Sequence, residues 1–125
     1  MKELSVAEWN IMESLWEEAP KIGSSIVADL QESVGWSRST TLTMLRRMTD
    51  KGLIECRETE HIKQYSPLIE REAAVKKETE NFLKRVYRGS VSMMLCSFVE
   101  KQQLSKKEIE ELYEILKRAE GKQHD

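Results

Sequence analysis

Cysteine, proline and glycine are scarce in this 125-residue chain, which has two, two and five of them. Cys56 and Cys96 lie far apart with no C-x-x-C or C-x-C spacing. That excludes a disulfide framework and points to buried, reduced thiols. So few prolines and glycines also exclude a low-complexity chain and favour helix. Long apolar runs are missing too. The longest, Met93 to Cys96, falls far short of the ~18 residues of a membrane span. The opening Met1-Lys2-Glu3-Leu4-Ser5 lacks the apolar core of a signal peptide. These absences predict a cytoplasmic protein without a membrane partner. Neither G-x-x-x-x-G-K-[ST] nor G-x-G-x-x-G occurs, so no nucleotide cofactor is expected. Soft metal ligands are limited to His61, His124, Cys56 and Cys96, no two at ligand spacing, so no metal is expected either. His61 and Cys56 can meet only across an exposed hairpin, which offers no cleft for nucleophilic catalysis. The chain does not read as an enzyme.

Charge is plentiful but unevenly placed. Twenty basic and 22 acidic side chains give a net −2. Residues 1–35 hold Lys2 and Lys21 against seven carboxylates, a net −5. Residues 36–51 hold Arg38, Arg46, Arg47 and Lys51 against Asp50, a net +3. Salt screens charges beyond ~10 Å, so the local field of this basic island matters more to a polyanion than the total.

Helix signals dominate the first half. Ser5-Val6-Ala7-Glu8 is a capping box, followed by a stripe of Val6, Trp9, Met12, Leu15 and Trp16. Ala19-Pro20 ends that helix. Gly23-Ser24-Ser25 reads as a connection with an N-cap, Ile26, Val27 and Leu30 as a second stripe, and Gly35 as a C-cap. Ser37 is placed to cap a third helix. On it Thr41, Met44, Leu45 and Met48 share one face, and Ser39, Thr40, Thr43, Arg46, Arg47 and Asp50 the other. After Lys51-Gly52, Leu53–Arg57 and Ile62–Ser66 read as two strands joined by a polar turn, Glu58 to His61, and closed by Pro67. Trp9, Trp16 and Trp36 are expected in the core. The predicted fold is mainly α with a small β-hairpin: an N-terminal winged helix-turn-helix, residues 1–68, followed by a helical dimerisation segment, residues 69–125.

The second half carries only helical stripes. Val75, Thr79, Phe82 and Val86 form one, broken by Arg88-Gly89-Ser90. Val91, Met94, Leu95, Phe98 and Val99 form the next. Ser105 to Glu108 is a second capping box, followed by Ile109, Leu112, Tyr113 and Leu116. Gly121 to Asp125 is expected to fray. Three amphipathic helices of this size can bury their stripes on a second copy, giving a homodimer, or fold back on their own chain.

The outer face of the third helix has the chemistry of a DNA reader. Short hydroxyls let a helix approach a groove, and arginines bond phosphate or the guanine edge. Ser37, Ser39, Thr40, Thr43, Arg46 and Arg47 supply both, with Thr40, Thr43 and Arg46 suited to base-edge or nearby contacts and Ser37, Ser39 and Arg47 to phosphate or mixed contacts. Leu42 lies at the edge of this face, where it can touch a thymine methyl or serve as a core residue. An alternative for Arg46 and Arg47 is an intrahelical pair with Asp50. Arg57, His61 and Lys63 on the wing are candidates for backbone contacts, opposed by Glu55, Glu58 and Glu60.

These residues, in this order, resemble the BlaI/MecI/CopY (penicillinase repressor) family. Leu4 to Trp9 with Leu15-Trp16 looks like its opening. Trp36-Ser37, Thr40, Thr43, Met44-Leu45, Arg47 and Lys51 to Ile54 look like its recognition helix and first wing strand. Tyr65 to Leu68 looks like the wing's end, and Phe82-Leu83, Tyr87 to Ser90, Phe98 to Glu100 and Leu104 to Leu112 like its C-terminal half. The resemblance implies a homodimeric repressor on a double-stranded, palindromic operator with a TACA/TGTA-like dyad, upstream of β-lactamase or related resistance genes. It implies a dimer formed by the C-terminal helices, whose stripes place Val91, Met94, Leu95, Phe98, Leu112 and Leu116 in the expected dimer core. It also implies induction by a regulatory protease at an Asn-Phe bond, matched here by Ser97-Phe98. The chain differs from the family in Arg38 for a frequent proline, Leu42 for a basic or polar residue, and His61 for a frequent arginine. It also lacks the cysteine-rich tail of the copper-sensing branch. Two further readings remain open: a winged-helix protein-interaction module that binds no DNA, and a repressor released by a small molecule near Met93-Met94.

Overall fold

A computed structural model describes residues 3–122. The elements run α1 (Val6–Glu17), β1 (Lys21–Ile22), α2 (Gly23–Val34), α3 (Arg38–Lys51), β2 (Ile54–Thr59), β3 (Ile62–Pro67), α4 (Arg71–Tyr87), α5 (Val91–Glu100) and α6 (Lys106–Lys122). Contacts divide the chain into two compact units, with the break between Thr79 and Glu80, inside α4.

The first unit is a winged helix-turn-helix. Its helices are set by local chemistry. The Ser5 hydroxyl accepts from Glu8 N–H (3.1 Å) while the Glu8 carboxylate accepts from Ser5 N–H (2.9 Å), which fixes the start of α1. Gly35 (φ 72°) and Gly52 (φ 79°) end α2 and α3 in the left-handed conformation that a side chain resists. Ile11, Met12, Leu15, Ile26, Leu30, Leu45, Met48, Leu53, Ile54 and Tyr65 form one core. The core face of α1 differs from the expected stripe. Ile11 is on it, whereas Val6 is 83% exposed and Trp9 only half-buried. Trp16 and Trp36 are likewise half-buried at the rim of the core.

The sheet has three strands, ordered β1-β3-β2, instead of two. Lys21 pairs with Tyr65 and Ile22 with Gln64. A two-residue strand carries no alternation to read, and its pairing delivers the chain straight into α2. The stretch expected as a connection, Gly23 to Ser25, is therefore the first turn of that helix. Lys21 is buried, and its ammonium donates to Ser14 O (2.7 Å), Ser14 Oγ (3.2 Å) and Asp29 Oδ2 (2.7 Å). That hydrogen bond from Lys21 holds the Asp29 carboxyl below its ordinary pKa, against the opposing effect of burial.

The wing turn is tighter than expected. It is two residues, Glu60 (φ 51°) and His61 (φ 69°), both left-handed although neither is glycine. Beyond the wing, α1 anchors the start of α4. Trp16 Nε1–H donates to Ile69 O (2.8 Å), the Arg71 guanidinium sits 5.8 Å from the Trp16 ring centre, and Arg71 pairs with Glu13 (3.2 Å).

In the second unit, Gly89 (φ 84°) turns the chain out of α4, and the Ser90 hydroxyl accepts from Met93 N–H (3.1 Å) to open α5. The capping box at Ser105 and Glu108 opens α6, with bonds of 3.0 and 3.1 Å. This helix continues through Gly121 and Lys122, where fraying was expected. Residues 123–125 of the expected tail, with His124, lie outside the described residues. No residue of α5 or α6 is buried within the single chain. Val91 and Leu116 are exposed, and Met94, Leu95, Phe98 and Leu112 half-buried.

Candidate nucleic-acid interface

Helix α3 is held by its inner face. Thr41, Leu45 and Met48 are fully buried, with Met44 packed against them. Lys51, at its last turn, donates to the Glu8 carboxylate (2.8 Å), tying the end of α3 to the first turn of α1. Burial works against charge on Glu8, but the hydrogen bonds from Lys51 and the Ser5 backbone outweigh it and keep the carboxyl below its ordinary pKa.

The opposite face of α3 points outward. Ser37, Arg38, Ser39, Thr40, Leu42, Arg46 and Arg47 are exposed and Thr43 is half-buried. The Ser37 hydroxyl accepts from Thr40 N–H (3.2 Å) and bonds the Thr40 hydroxyl (3.0 Å), so the helix starts here with a side-chain cap. Neither Arg46 nor Arg47 forms an ion pair with Asp50, so both guanidinium groups face solvent.

Two clefts shape this surface. Arg38, Ser39, Leu42, Thr43 and Arg46 line one of about 480 Å³. The second, about 350 Å³, lies between α3, the first turn of α2 and the wing. Arg38 and Leu42 line it as well, facing Ser24, His61, Ile62 and Lys63. The same two α3 residues thus join helix and wing into one continuous surface. At the floor of the second cleft is Tyr65, whose hydroxyl is kept protonated above its ordinary pKa of 10.0 by burial and by the neighbouring Cys56.

Of the wing residues singled out from the sequence, His61 and Lys63 reach this cleft. Arg57 does not line it. In the β2–β3 register Arg57 is paired with Gln64, and Lys63 with Glu58. Successive strand residues alternate faces, so Arg57 shares a face of the wing with Ile62, and Lys63 shares the other with Tyr65. Arg57 is also engaged by Glu55, which raises its pKa. Sequence reasoning missed Arg38 and Ser24 as members of the surface. Arg38 was legible as part of the basic island. Ser24 was not, because only the short strand β1 brings the uncapped start of α2 to the wing.

The family model described as Penicillinase repressor matches residues 4–118. The methicillin resistance regulatory protein MecI of Staphylococcus aureus (strain N315) is 36% identical over 114 residues, covering 91% of this chain and 93% of that protein. The penicillinase repressor of Bacillus licheniformis is 32% identical over 114 residues, covering 91% and 89%. Among solved structures, the DNA binding domain of the repressor BlaI superposes with a TM-score of 0.52 at 26% identity, over 58% of this chain and 93% of that one. The Bacillus licheniformis BlaI monomeric form, solved in complex with the blaP half-operator, also gives 0.52, at 25% identity over 58% and 88%. With both its length and its winged helix matched in this way, the chain belongs to the penicillinase repressor family.

Proposed function

We propose that this chain is a cytoplasmic, sequence-specific transcriptional repressor that binds a palindromic operator as a homodimer and controls resistance genes of the β-lactamase type. One observation carries the reading: the outer face of α3 presents hydroxyls beside guanidinium groups that pair with no carboxylate among the described residues, and it runs on into the wing cleft. Thr40, Thr43 and Arg46 are assigned to base edges. Ser37, Ser39 and Arg47, with Arg38, Ser24, His61 and Lys63, are assigned to phosphates. Arg57 is left out of the interface. The solved half-operator complex of a relative supports the same class of partner.

Residues 1–68 form the DNA-binding part of this reading and 69–125 the dimerisation part. Val91, Met94, Leu95, Phe98, Leu112 and Leu116 are assigned to the dimer core, because the single chain leaves them exposed or only half-buried. A regulatory protease acting at Ser97-Phe98 would cut inside α5 and so must open that helix first. The test is titration onto a duplex with a TACA/TGTA-like dyad and onto the same duplex scrambled, at rising salt. The expected result is tighter binding to the dyad, two chains per duplex in sedimentation, and affinity that falls as salt rises. Equal, salt-insensitive binding to both duplexes would refute the proposal.

A further inference from the structure

Three apolar side chains lie where a phosphate-binding surface has no need of them. Ile22 is 36% exposed, Leu42 37% and Ile62 52%, and all three line the cleft between α3, α2 and the wing. They come from three different elements, so no one helical or strand pattern marks them as a set. The same cleft is lined by the cations Arg38 and Lys63, with Ser24, His61 and Tyr65. Exposed apolar side chains sharing a cleft with two cations fit a ligand that is anionic at its edge and carries a small apolar group within. Duplex DNA offers one such group in its major groove, the C5 methyl of thymine.

Resting on the DNA-binding reading above, we propose that Leu42 and Ile62, with Ile22 behind them, form a methyl pocket that selects thymine at one position of each half-site. The position lies beyond the bases met by Thr43 and Arg46, toward the wing. Arg38 and Lys63 hold the flanking phosphates and so press the base edge against the apolar floor. The selection needs no hydrogen bond. The methyl displaces water from three side chains that otherwise stay wet.

Deoxyuridine tests this cleanly, since it removes the methyl and keeps every hydrogen-bonding group of thymine. A duplex is selected from a random-sequence pool with the full-length protein, and each of its thymines is then replaced singly by deoxyuridine. One symmetry-related pair of positions is expected to lose about fourfold per half-site, the worth of one buried methyl group. The variants Leu42→Ala and Ile62→Ala should bind the thymine duplex more weakly and respond little to deoxyuridine at that position. Both residues are on the surface, so the variants keep the core. If no thymine shows the loss while binding stays salt-dependent, the methyl pocket is wrong and the DNA-binding reading survives. A loss of equal size in wild type and in Leu42→Ala also overturns the pocket, because the methyl is then read elsewhere. If no duplex is selected at all, both readings fall.

Discussion

Replacing Glu8 tests how the recognition helix is fastened. One carboxylate oxygen accepts from Ser5 N–H and the other from Lys51 Nζ, and its side chain is only 6% exposed. Glutamine keeps the first bond, since an amide oxygen completes a capping box, and loses the charge that holds Lys51. A hydrogen bond to a charged group contributes about 1.5–3 kcal/mol, but Lys51 is 55% exposed, which discounts it toward the ~1 kcal/mol of a surface pair. Glu8→Gln should therefore cost about 1 kcal/mol. Glu8→Ala should cost about 2, because the cap bond goes as well. For a unit of this size each kcal/mol lowers the melting temperature by about 4–8 °C, readable by circular dichroism. The pH dependence adds a second reading. The folded carboxyl is held below its ordinary value of 4.5, so its stabilisation is complete above that pH and lost as pH falls through the lowered folded value. The glutamine variant has no such carboxyl and should lose less stability on acidification than wild type. A Glu8→Gln variant that melts with wild type and follows the same acid slope would refute the fastening.

Further outcomes follow from the buried hydroxyl and the unburied helices. Thr41 is fully buried and its hydroxyl has no hydrogen-bond partner among the described residues, so Thr41→Val, of the same shape, should raise stability by about 1 kcal/mol in urea unfolding. A less stable variant would show that the hydroxyl is satisfied. Leu112→Asp places a charge on the apolar face of α6 and should convert the proposed dimer to monomer in sedimentation while leaving the melting of the winged helix unchanged. A dimer that persists at micromolar concentration would remove Leu112 from the interface.

What the sequence revealed and what it hid follow the range of the interactions. The boxes at Ser5 and Ser105 and the glycine caps at 35 and 52 depend on neighbours within one turn, and these are where they were expected. The outer face of α3 was legible for the same reason, since helical spacing alone separates Ser39, Thr43 and Arg46 from Leu45 and Met48. Long-range partners were not. The bond from Trp16 to Ile69 spans 53 positions, and that from Lys51 to Glu8 spans 43. Lys21 counts as a surface charge in any composition, yet three acceptors supplied by Ser14 and Asp29 make its burial tolerable. Arg57 and Lys63 look equivalent in sequence, and only the strand register puts them on opposite faces.

The most direct test of the account is the salt dependence of operator binding, measured side by side for wild type, Arg47→Ala and Arg57→Ala. Removing a phosphate contact on α3 should lower the slope of log affinity against log salt by about one for Arg47→Ala and weaken binding by about 1–3 kcal/mol. Arg57→Ala, outside the cleft and paired with Glu55, should keep the wild-type slope and affinity. An Arg47→Ala protein indistinguishable from wild type, or an Arg57→Ala protein with the larger loss, would contradict the placement of α3 against DNA.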